Sequence, residues 1–279
     1  MLQDLEYGRL ENEYRPTPPR DDDLVLCFRG PDVLLCPGED GAPVLPTAAQ
    51  VTAWWGPQRL RYGFRIHGTG YYLLSPADPD APQPFLWENA RGLRRSAPGK
   101  TCYAIITGWH LHTWYEKNRF CGGCGAEAVH DERERLLRCP DCGNLIFPRI
   151  NPVVIAAVTD GDRLLLSRYA GRSYTSYALL AGYAEIGETI EQTVAREVYE
   201  EVGLKVKNLR YYKSQPWGVD GNLLFGFFCD LDGDGTIHLD ENELSHAAWY
   251  PRHDLPVGDD GFSLTREMIR IFSEGKEPR

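Results

Sequence analysis

The alternation of apolar and polar residues gives the first part of the chain a strand-rich character. Between residues 24 and 95, short apolar runs such as 24–28, 71–74 and 85–87 are separated by glycine and proline turns. Short apolar runs bounded by turn residues are typical of strands. We therefore expect a small β-rich or α+β domain here, and no pattern within it indicates catalysis.

The periodicity changes after this region. Ile105, Trp109 and Tyr115 recur at helical spacing, which predicts a connecting helix over 103–120. Farther on, the apolar runs 153–158 and 164–166 flank Asp160-Gly161-Asp162, a sequence typical of a hairpin turn. A further strand is predicted at 223–228 and a last helix near 263–273. The second half is therefore expected to mix helices and strands.

One helix is predicted in more detail, over residues 189–202. Thr189 and Gln192 form the pattern of a capping box at its start. Apolar residues recur every four positions along it, at Ile190, Val194 and Val198. Gly203 suits the position that ends a helix.

Composition and charge limit the classes of function. The chain has 279 residues, of which 42% are hydrophobic and 25% charged, so it is long enough to bury a core and is not disordered. Its net charge of -10 argues against a general polyanion binder or a membrane-surface protein. No apolar run approaches the roughly 20 residues that span a bilayer, and the first residues lack the features of a signal peptide. We expect a cytoplasmic protein.

Four of the eight cysteines form two closely spaced pairs, Cys121 with Cys124 and Cys139 with Cys142. Two Cys-x2-Cys turns supply the four thiolates that tetrahedral Zn²⁺ prefers, and four protein ligands leave no position for a reacting water. Disulfides or a redox pair are the alternatives, and they are less typical of a chain without a leader. We predict a structural zinc ribbon over 117–150. Three nearby histidines, His110, His112 and His130, are not assigned as ligands.

The predicted helix 189–202 carries a cluster of acidic residues. Glu197 and Glu201 lie one turn apart with Glu200 beside them, and Arg196 can pair with Glu200. A hard divalent cation such as Mg²⁺ or Mn²⁺ would neutralise these carboxylates and keep waters for substrate phosphates. The alternative is a solvated, charged helix face.

The surrounding residues favour the metal. From Gly182 to Leu204 the chain matches G-x5-E-x7-R-E-U-x-E-E-x-G-U, where U is aliphatic, at every fixed position. This segment resembles the signature of the Nudix hydrolases. The resemblance implies a Nudix α/β/α sandwich with a mixed sheet. It also implies that Glu197, Glu200 and Glu201 bind the catalytic metals, with one of them as a candidate base, and that Gly182, Glu188 and Arg196 support the site.

The position of the zinc ribbon narrows the resemblance to the NADH pyrophosphatase (NudC-type) subgroup. Ser214-Gln-Pro-Trp217 matches the first half of that subgroup's SQPWPFPxS signature, whereas residues 218–222 read Gly-Val-Asp-Gly-Asn and depart from it. By matching positions, the resemblance implies that Phe147 and Tyr183 stack on the substrate ring and that Gln215 and Trp217 line its pocket. It also implies a homodimer.

Two features near the end of the second half compete for the acidic residues. The resemblance implies a further metal ligand in a Glu-Leu-x4-Trp context, which Glu243 fits, with Glu241 as the competitor. Residues 230–241 also match the EF-hand loop pattern. Because a strand rather than a helix is predicted before this loop, we interpret 232–235 as a hairpin turn.

The leading hypothesis is metal-dependent hydrolysis of NADH or NAD⁺ to AMP and nicotinamide mononucleotide, with removal of NAD caps from RNA as a related activity. One alternative keeps the chemistry and changes the substrate to ADP-ribose or another nucleoside diphosphate derivative. Another is a zinc-ribbon binding or regulatory protein with an inactive Nudix domain. Three domains are expected, with boundaries at 1–116, 117–150 and 151–279.

Overall fold

The computed structural model describes residues 1–279 except 6–8, 39–41, 77–79, 94–98, 172–175, 259–260 and 279. The chain divides into two compact units. The N-terminal unit comprises residues 2–149 and 218–221, and the C-terminal unit comprises Met1, 150–217 and 222–279. Within the described residues, no helix has both the length and the apolar character needed to cross a bilayer.

The N-terminal unit is rich in strands, as its short apolar runs predict. Its first strands and helix are β1 (Leu10–Glu11), β2 (Leu24–Arg29), β3 (Asp32–Pro37), β4 (Pro43–Val44), α1 (Ala48–Trp55), β5 (Arg61–Ile66), β6 (Thr69–Leu74) and β7 (Leu86–Asn89). The strands form one sheet in the order β1-β5-β6-β2-β3-β4, with β7 also paired to β3. Strands β2 and β6 run parallel, and the remaining pairs are antiparallel.

The remaining elements of this unit are a long helix and the cysteine module. Helix α2 (Gly99–Lys117) begins four residues before the predicted start and ends three residues before the predicted end. The module contains β8 (Val129–His130), β9 (Leu137–Arg138) and β10 (Leu145–Ile146), which form an antiparallel sheet in the order β10-β9-β8. These short strands present the two cysteine turns that are described below.

The C-terminal unit is a mixed sheet with helices. Its elements are β11 (Asn151–Asp160), β12 (Arg163–Tyr169), β13 (Leu180–Tyr183), α3 (Ile190–Val202), β14 (Val206–Trp217), β15 (Asn222–Leu231), β16 (Leu244–Pro251) and α4 (Leu264–Ser273). The strand order is β14-β15-β11-β12-β16, with β13 also paired to β11. Only β11 and β15 run parallel among these pairs. The predicted hairpin is confirmed, because Asp160 pairs with Arg163.

The central strand β11 shows why two helices cover this sheet. Successive side chains of a strand point to opposite faces, so a strand buried on both sides is apolar throughout. Val154, Ala156 and Val158 pack in one core with Val194 and Val198 of α3. The neighbouring positions Val153, Ile155 and Ala157 pack in another core with Met268 and Phe272 of α4. The predicted α/β/α sandwich is therefore confirmed.

Helix α3 begins and ends as the sequence predicts. The Thr189 side chain accepts from the Gln192 backbone N–H while the Gln192 side chain accepts from the Thr189 N–H, which completes the capping box. Gly203 is left-handed, with φ of 70°, and its N–H donates to the Tyr199 carbonyl. The helix carrying the acidic cluster is thus fixed at both ends by local sequence.

The interpretation of residues 232–235 as a hairpin turn is wrong. A hairpin joins neighbouring strands, but β15 and β16 lie on opposite sides of β11 and β12 in the sheet. The segment between them is a crossover that runs along the end of α3, where His238 N donates to Val202 O and Asp240 N donates to Glu201 O. Local turn residues were present, but the strand order, which is a long-range property, decides the connection.

Candidate active site and metal centre

The four cysteines lie on two turns with the same backbone hydrogen bonds. In the first, Cys121 N donates to Ala126 O and Gly125 N donates to Cys121 O. In the second, Cys139 N donates to Asn144 O and Gly143 N donates to Cys139 O. Gly125 and Gly143 both have positive φ, of 79° and 75°, which closes each turn without strain.

These turns bring the four thiols together. All four sulfur atoms lie within 4.8 Å of one another, with 3.6 Å between Cys121 and Cys142 and 3.4 Å between Cys124 and Cys139. A disulfide needs about 2 Å between sulfurs, whereas a tetrahedron of bonds of about 2.3 Å to Zn²⁺ separates them by about 3.8 Å. The arrangement fits structural zinc and not disulfides.

The backbone of each turn favours the thiolate form of its first cysteine, whereas the hydrogen bond with Cys139 is the largest cause that raises the pKa of Cys124 and Cys142. The pKa of Cys121 is lowered to about 6, chiefly because the backbone N–H groups of Gly123 and Cys124 donate to its sulfur. The pKa of Cys139 is lowered mainly by the Cys142 N–H. The three histidines stay outside this cluster: His110 Nε2 bonds to the Arg149 carbonyl, and the rings of His112 and His130 pack on Phe28 and Tyr115.

In the C-terminal unit, the acidic cluster is built around a glycine. Glu197 is only 9% exposed, and its carboxyl group lies where a side chain at position 182 would begin. Any Cβ at Gly182 would overlap that carboxyl group. The Nudix signature glycine is therefore required by the close approach of Glu197 on α3 to strand β13, not by an unusual φ.

Arg196 connects the carboxylates of the cluster. Its guanidinium donates to Glu188 at 2.6 and 2.9 Å, to Glu197 at 2.7 Å and to Glu200 at 2.7 Å. It also donates to the Tyr183 carbonyl at 2.9 Å. The pair with Glu200 was expected from the sequence, whereas the bonds to Glu188 and Tyr183 were not.

These bonds give the acidic groups different electrostatic environments. The hydrogen bond from Arg196 is the main reason that the pKa of Glu188 is lowered to about 2. Burial is the main reason that the pKa of Glu197 is raised, and the negative charges of Glu200 and Glu243 act in the same direction while Arg196 opposes them. Glu201 is 2% exposed, whereas Glu200 is exposed. The two buried carboxylates, Glu197 and Glu201, suit a cation that adds positive charge beside the single arginine.

Glu243 lies near this cluster because of the crossover segment. The hydrogen bonds of His238 and Asp240 to the last turn of α3 bring the chain past the helix end, and Ala170 N donates to the Glu243 carbonyl. The negative charge of Glu243 contributes to the raised pKa of Glu197, after the larger effect of burial. Glu241 and Glu243 are both exposed.

The EF-hand-like segment does not form a calcium loop in the described residues. Strands β15 and β16 flank it where the EF-hand needs helices. Its acidic groups bind other partners: Asp230 pairs with Arg210 and Asp232 pairs with Lys207. Among the described residues, only the four cysteines bring three or more ligand atoms within 4.8 Å of one another.

The residues assigned to the substrate pocket have varied surroundings. Phe147 and Tyr183 are exposed, as stacking residues must be. Trp217 packs edge-on against Phe262 at 5.5 Å. Gln215 is fully buried: its Nε2 donates to Phe262 O and its Oε1 accepts from Leu264 N. Gln215 thus holds the start of α4, and its place in a pocket stays a prediction.

One polar contact at this end of the sheet was missed. Asn222 donates through Nδ2 to the Tyr183 hydroxyl at 3.2 Å. The signal was present in the sequence, because Asn222 is the last residue of the segment that departs from SQPWPFPxS. The sequence alone did not show which side chain it reaches.

Two known family models match the chain, one at the C-terminal sandwich and one at the cysteine module. The NUDIX domain model matches residues 149–270, which include the whole sandwich from β11 to α4 apart from its last residues. Residues 149–270 therefore form a NUDIX domain. The model of the NADH pyrophosphatase zinc ribbon domain matches residues 116–147, which agrees with the four-cysteine cluster.

Two curated relatives have the same name. The chain is 41% identical over 162 residues to "NAD-capped RNA hydrolase NudC" of Enterobacter sp., and 40% identical over 162 residues to the protein of the same name from Shigella flexneri. Each match covers 58% of this chain and 62% or 63% of the relative. The chain thus matches less than two thirds of the length of these relatives.

Two solved structures also align with part of the chain. A NUDIX hydrolase from Nitrosomonas europaea is 21% identical, with a TM-score of 0.48, and the match covers 56% of this chain and 91% of that one. A MutT NUDIX hydrolase from Burkholderia pseudomallei is 17% identical, with a TM-score of 0.36 over 43% of this chain and 95% of that one.

Proposed function

We propose that this protein hydrolyses the pyrophosphate bond of NADH and NAD⁺ and releases AMP and nicotinamide mononucleotide. The observation that carries the proposal is the cluster of Glu188, Glu197 and Glu200 around Arg196, next to the buried Glu201. It is supported by the description of the matching zinc ribbon family and by the names of the relatives.

In this proposal, Glu197, Glu200, Glu201 and Glu243 hold the catalytic Mg²⁺ or Mn²⁺. When bound, such ions neutralise pyrophosphate oxygens and activate a water for in-line attack on phosphorus. Carboxylate oxygens are the ligands these hard cations prefer, and Glu197 is a buried carboxylate whose pKa is raised mainly by burial, so an added cation would stabilise its charged form. The donor set therefore fits the ions.

The protein's own residues orient the site. Arg196 fixes the Glu197 and Glu200 carboxylates from one side and ties them to strand β13 through the Tyr183 carbonyl. Glu188 holds Arg196 with two hydrogen bonds and keeps it charged. Preorganised groups of this kind need no rearrangement when the negative charge on the reacting phosphate increases. Which glutamate is the general base is left to experiment.

A second candidate keeps this chemistry and changes the leaving group. Residues 218–222 depart from the signature that the NADH-cleaving subgroup carries, which favours testing ADP-ribose as a substrate. The names of the relatives favour testing an NAD-capped RNA as well. An inactive binding protein is disfavoured because Glu197, Glu200 and Glu201 are all present and positioned on one helix.

The deciding experiment is a product assay with Mg²⁺ or Mn²⁺. NADH, NAD⁺, ADP-ribose and an NAD-capped RNA are offered in parallel, and products are separated by chromatography. We expect AMP and the mononucleotide from NADH, with kcat reduced about 10³-fold or more in Glu201→Gln. The matched control is Glu191→Gln, which removes an exposed glutamate from the same helix and should keep wild-type activity.

The outcomes separate the hypotheses. Cleavage of ADP-ribose or capped RNA alone would favour the second candidate, and no cleavage of any substrate would contradict both enzyme hypotheses. Three further predictions belong to the same proposal: domains at 1–116, 117–150 and 151–279, a homodimer and a cytoplasmic location. Light scattering of the purified protein tests the dimer directly.

A further inference from the structure

Three side chains form a hydrogen-bonded chain at one end of the C-terminal sheet. Asn151 Nδ2 donates to Asn222 Oδ1 at 3.3 Å, and Asn222 Nδ2 donates to the Tyr183 hydroxyl at 3.2 Å. Asn222 is 8% exposed, so its amide is a buried polar group whose partners matter for its orientation. The chain thus ends on the phenol of Tyr183.

The sheet register explains how these residues meet. Asn222 of β15 is paired with Asn151 of β11, and Tyr183 of β13 is paired with Val153 on the other side of β11. Alternation along β11 places positions 151 and 153 on one face, so their partners lie on that face too. The Asn222 amide therefore reaches across β11 to the Tyr183 hydroxyl.

Tyr183 is also held at its backbone. Its carbonyl accepts from Arg196 Nη2 at 2.9 Å, and the same guanidinium binds Glu188, Glu197 and Glu200. The ring itself is not covered, because 53% of Tyr183 remains exposed. One end of the residue is thus fixed by the acidic cluster and the other by Asn222, while the ring between them stays accessible.

We propose that Asn222 is a positioning residue that fixes the Tyr183 ring as a stacking surface for an aromatic base of the substrate. This rests on the proposed function, since it assumes a nucleotide at the acidic cluster. A ring held at both ends loses little conformational freedom when a base stacks on it, which favours binding. The signature has serine at position 222, and its shorter side chain ends closer to the backbone than the asparagine amide. The departure at 222 therefore supplies the contact to Tyr183 in this chain.

The test is a double-mutant cycle on KM. Asn222→Ala and Tyr183→Phe each remove the hydrogen bond, and we expect each to raise KM for NADH about 3- to 10-fold with kcat within about twofold. Because both changes break the same contact, the KM of the double variant should lie within about twofold of the higher of the two single-variant KM values. The matched control is Tyr211→Phe, since Tyr211 is also 53% exposed on this sheet.

ADP-ribose identifies which base is involved. An increase in KM for NADH alone supports stacking of the nicotinamide, and an equal increase for both substrates supports stacking of the adenine. Unchanged KM values, additive effects in the double variant, or a loss confined to kcat would overturn the proposal. Denaturant midpoints are measured alongside, and Tyr183→Phe keeps the test valid if Asn222→Ala unfolds.

A binding measurement keeps this inference apart from the proposed function. NADH fluorescence is titrated with Glu201→Gln protein that contains or lacks the Asn222→Ala change, so that turnover plays no part. A 3- to 10-fold weaker Kd with Asn222→Ala supports the positioning role even if wild-type protein cleaves no dinucleotide. An unchanged Kd overturns it even if NADH is hydrolysed.

Discussion

The four-cysteine cluster and the acidic cluster around Arg196 are built in opposite ways. The four thiols of the ribbon lie within 4.8 Å of one another on two turns of the same geometry. The glutamates of α3 are instead separated by Arg196, which binds three of the acidic groups. Among the described residues, no cationic side chain bonds to the four thiols, whereas Arg196 bonds directly to the acidic groups.

This difference suits different tasks. A closed set of four soft ligands has no position for substrate, so its metal contributes to folding. Hard carboxylates that an arginine already neutralises in part can bind and release cations together with a phosphate substrate. The same contrast indicates that removing a ligand from the ribbon affects stability, whereas changing the acidic cluster affects activity.

The largest expected effect is the loss of zinc and of stability when a cysteine of the ribbon is replaced. Cys139→Ser removes one of four zinc ligands, and structural zinc in small domains contributes about 10–16 kcal/mol of apparent binding free energy. We expect one zinc per chain in the wild type and almost none in the variant, measured by elemental analysis, together with a lower melting temperature. Cys36→Ser is the control because Cys36 lies outside the cluster. A variant that keeps one zinc per chain would contradict the closed site.

A smaller effect is expected at the acidic cluster. Arg196→Met leaves the carboxylates without their shared donor, and loss of such a supporting group typically reduces activity about 10- to 100-fold. Arg196→Lys keeps the charge but not the planar fork, so we expect it to recover activity only in part. The readout is kcat/KM for NADH with zinc content unchanged. Wild-type activity in Arg196→Met would show that the arginine is dispensable.

The smallest effect concerns acid stability of the N-terminal unit. Burial, with smaller contributions from Arg61 and Arg59, lowers the pKa of His130 from 6.5 to about 4. Between pH 6.5 and 4 the unfolded chain binds a proton at His130 that the folded chain does not. The free energy of unfolding is therefore unaffected by His130 above pH 6.5 and decreases as the pH falls towards 4. Relative to His130→Gln, we expect the wild type to lose about 2–4 °C of melting temperature between pH 7 and 5. If the difference in melting temperature between wild type and His130→Gln is the same at pH 7 and pH 5, with zinc retained at both, the prediction is refuted.

Local patterns predicted much of the fold. The capping box and final glycine of α3, the hairpin at 160–163 and the cysteine turns depend on residues close in sequence, and all are present. The Nudix signature identified the acidic cluster because its residues lie on one helix and the preceding strand. Glu243 comes from a separate segment, and its role as a metal ligand stays a prediction.

Features that depend on the pairing of distant strands could not be predicted from local sequence. The turn residues at 232–235 suggested a hairpin, but the strand order places β12 and β11 between the two strands concerned. The Gln215 amide bonds to residues 262 and 264, which lie far along the chain, and no local pattern indicated these partners. The contact of Asn222 with Tyr183 depends on the register of two strand pairs, which no local pattern encodes.

Gly182 has a consequence for how this protein can change over generations. Because the Glu197 carboxyl group fills the volume of a side chain at 182, any substitution there would displace that carboxyl group from its present place. Glycine at 182 therefore keeps the space that the Glu197 carboxyl group occupies, and we expect the two residues to be retained together. In a saturation library scored for activity, position 182 should accept only glycine, while the fully exposed Ile186 four residues later should accept many residues.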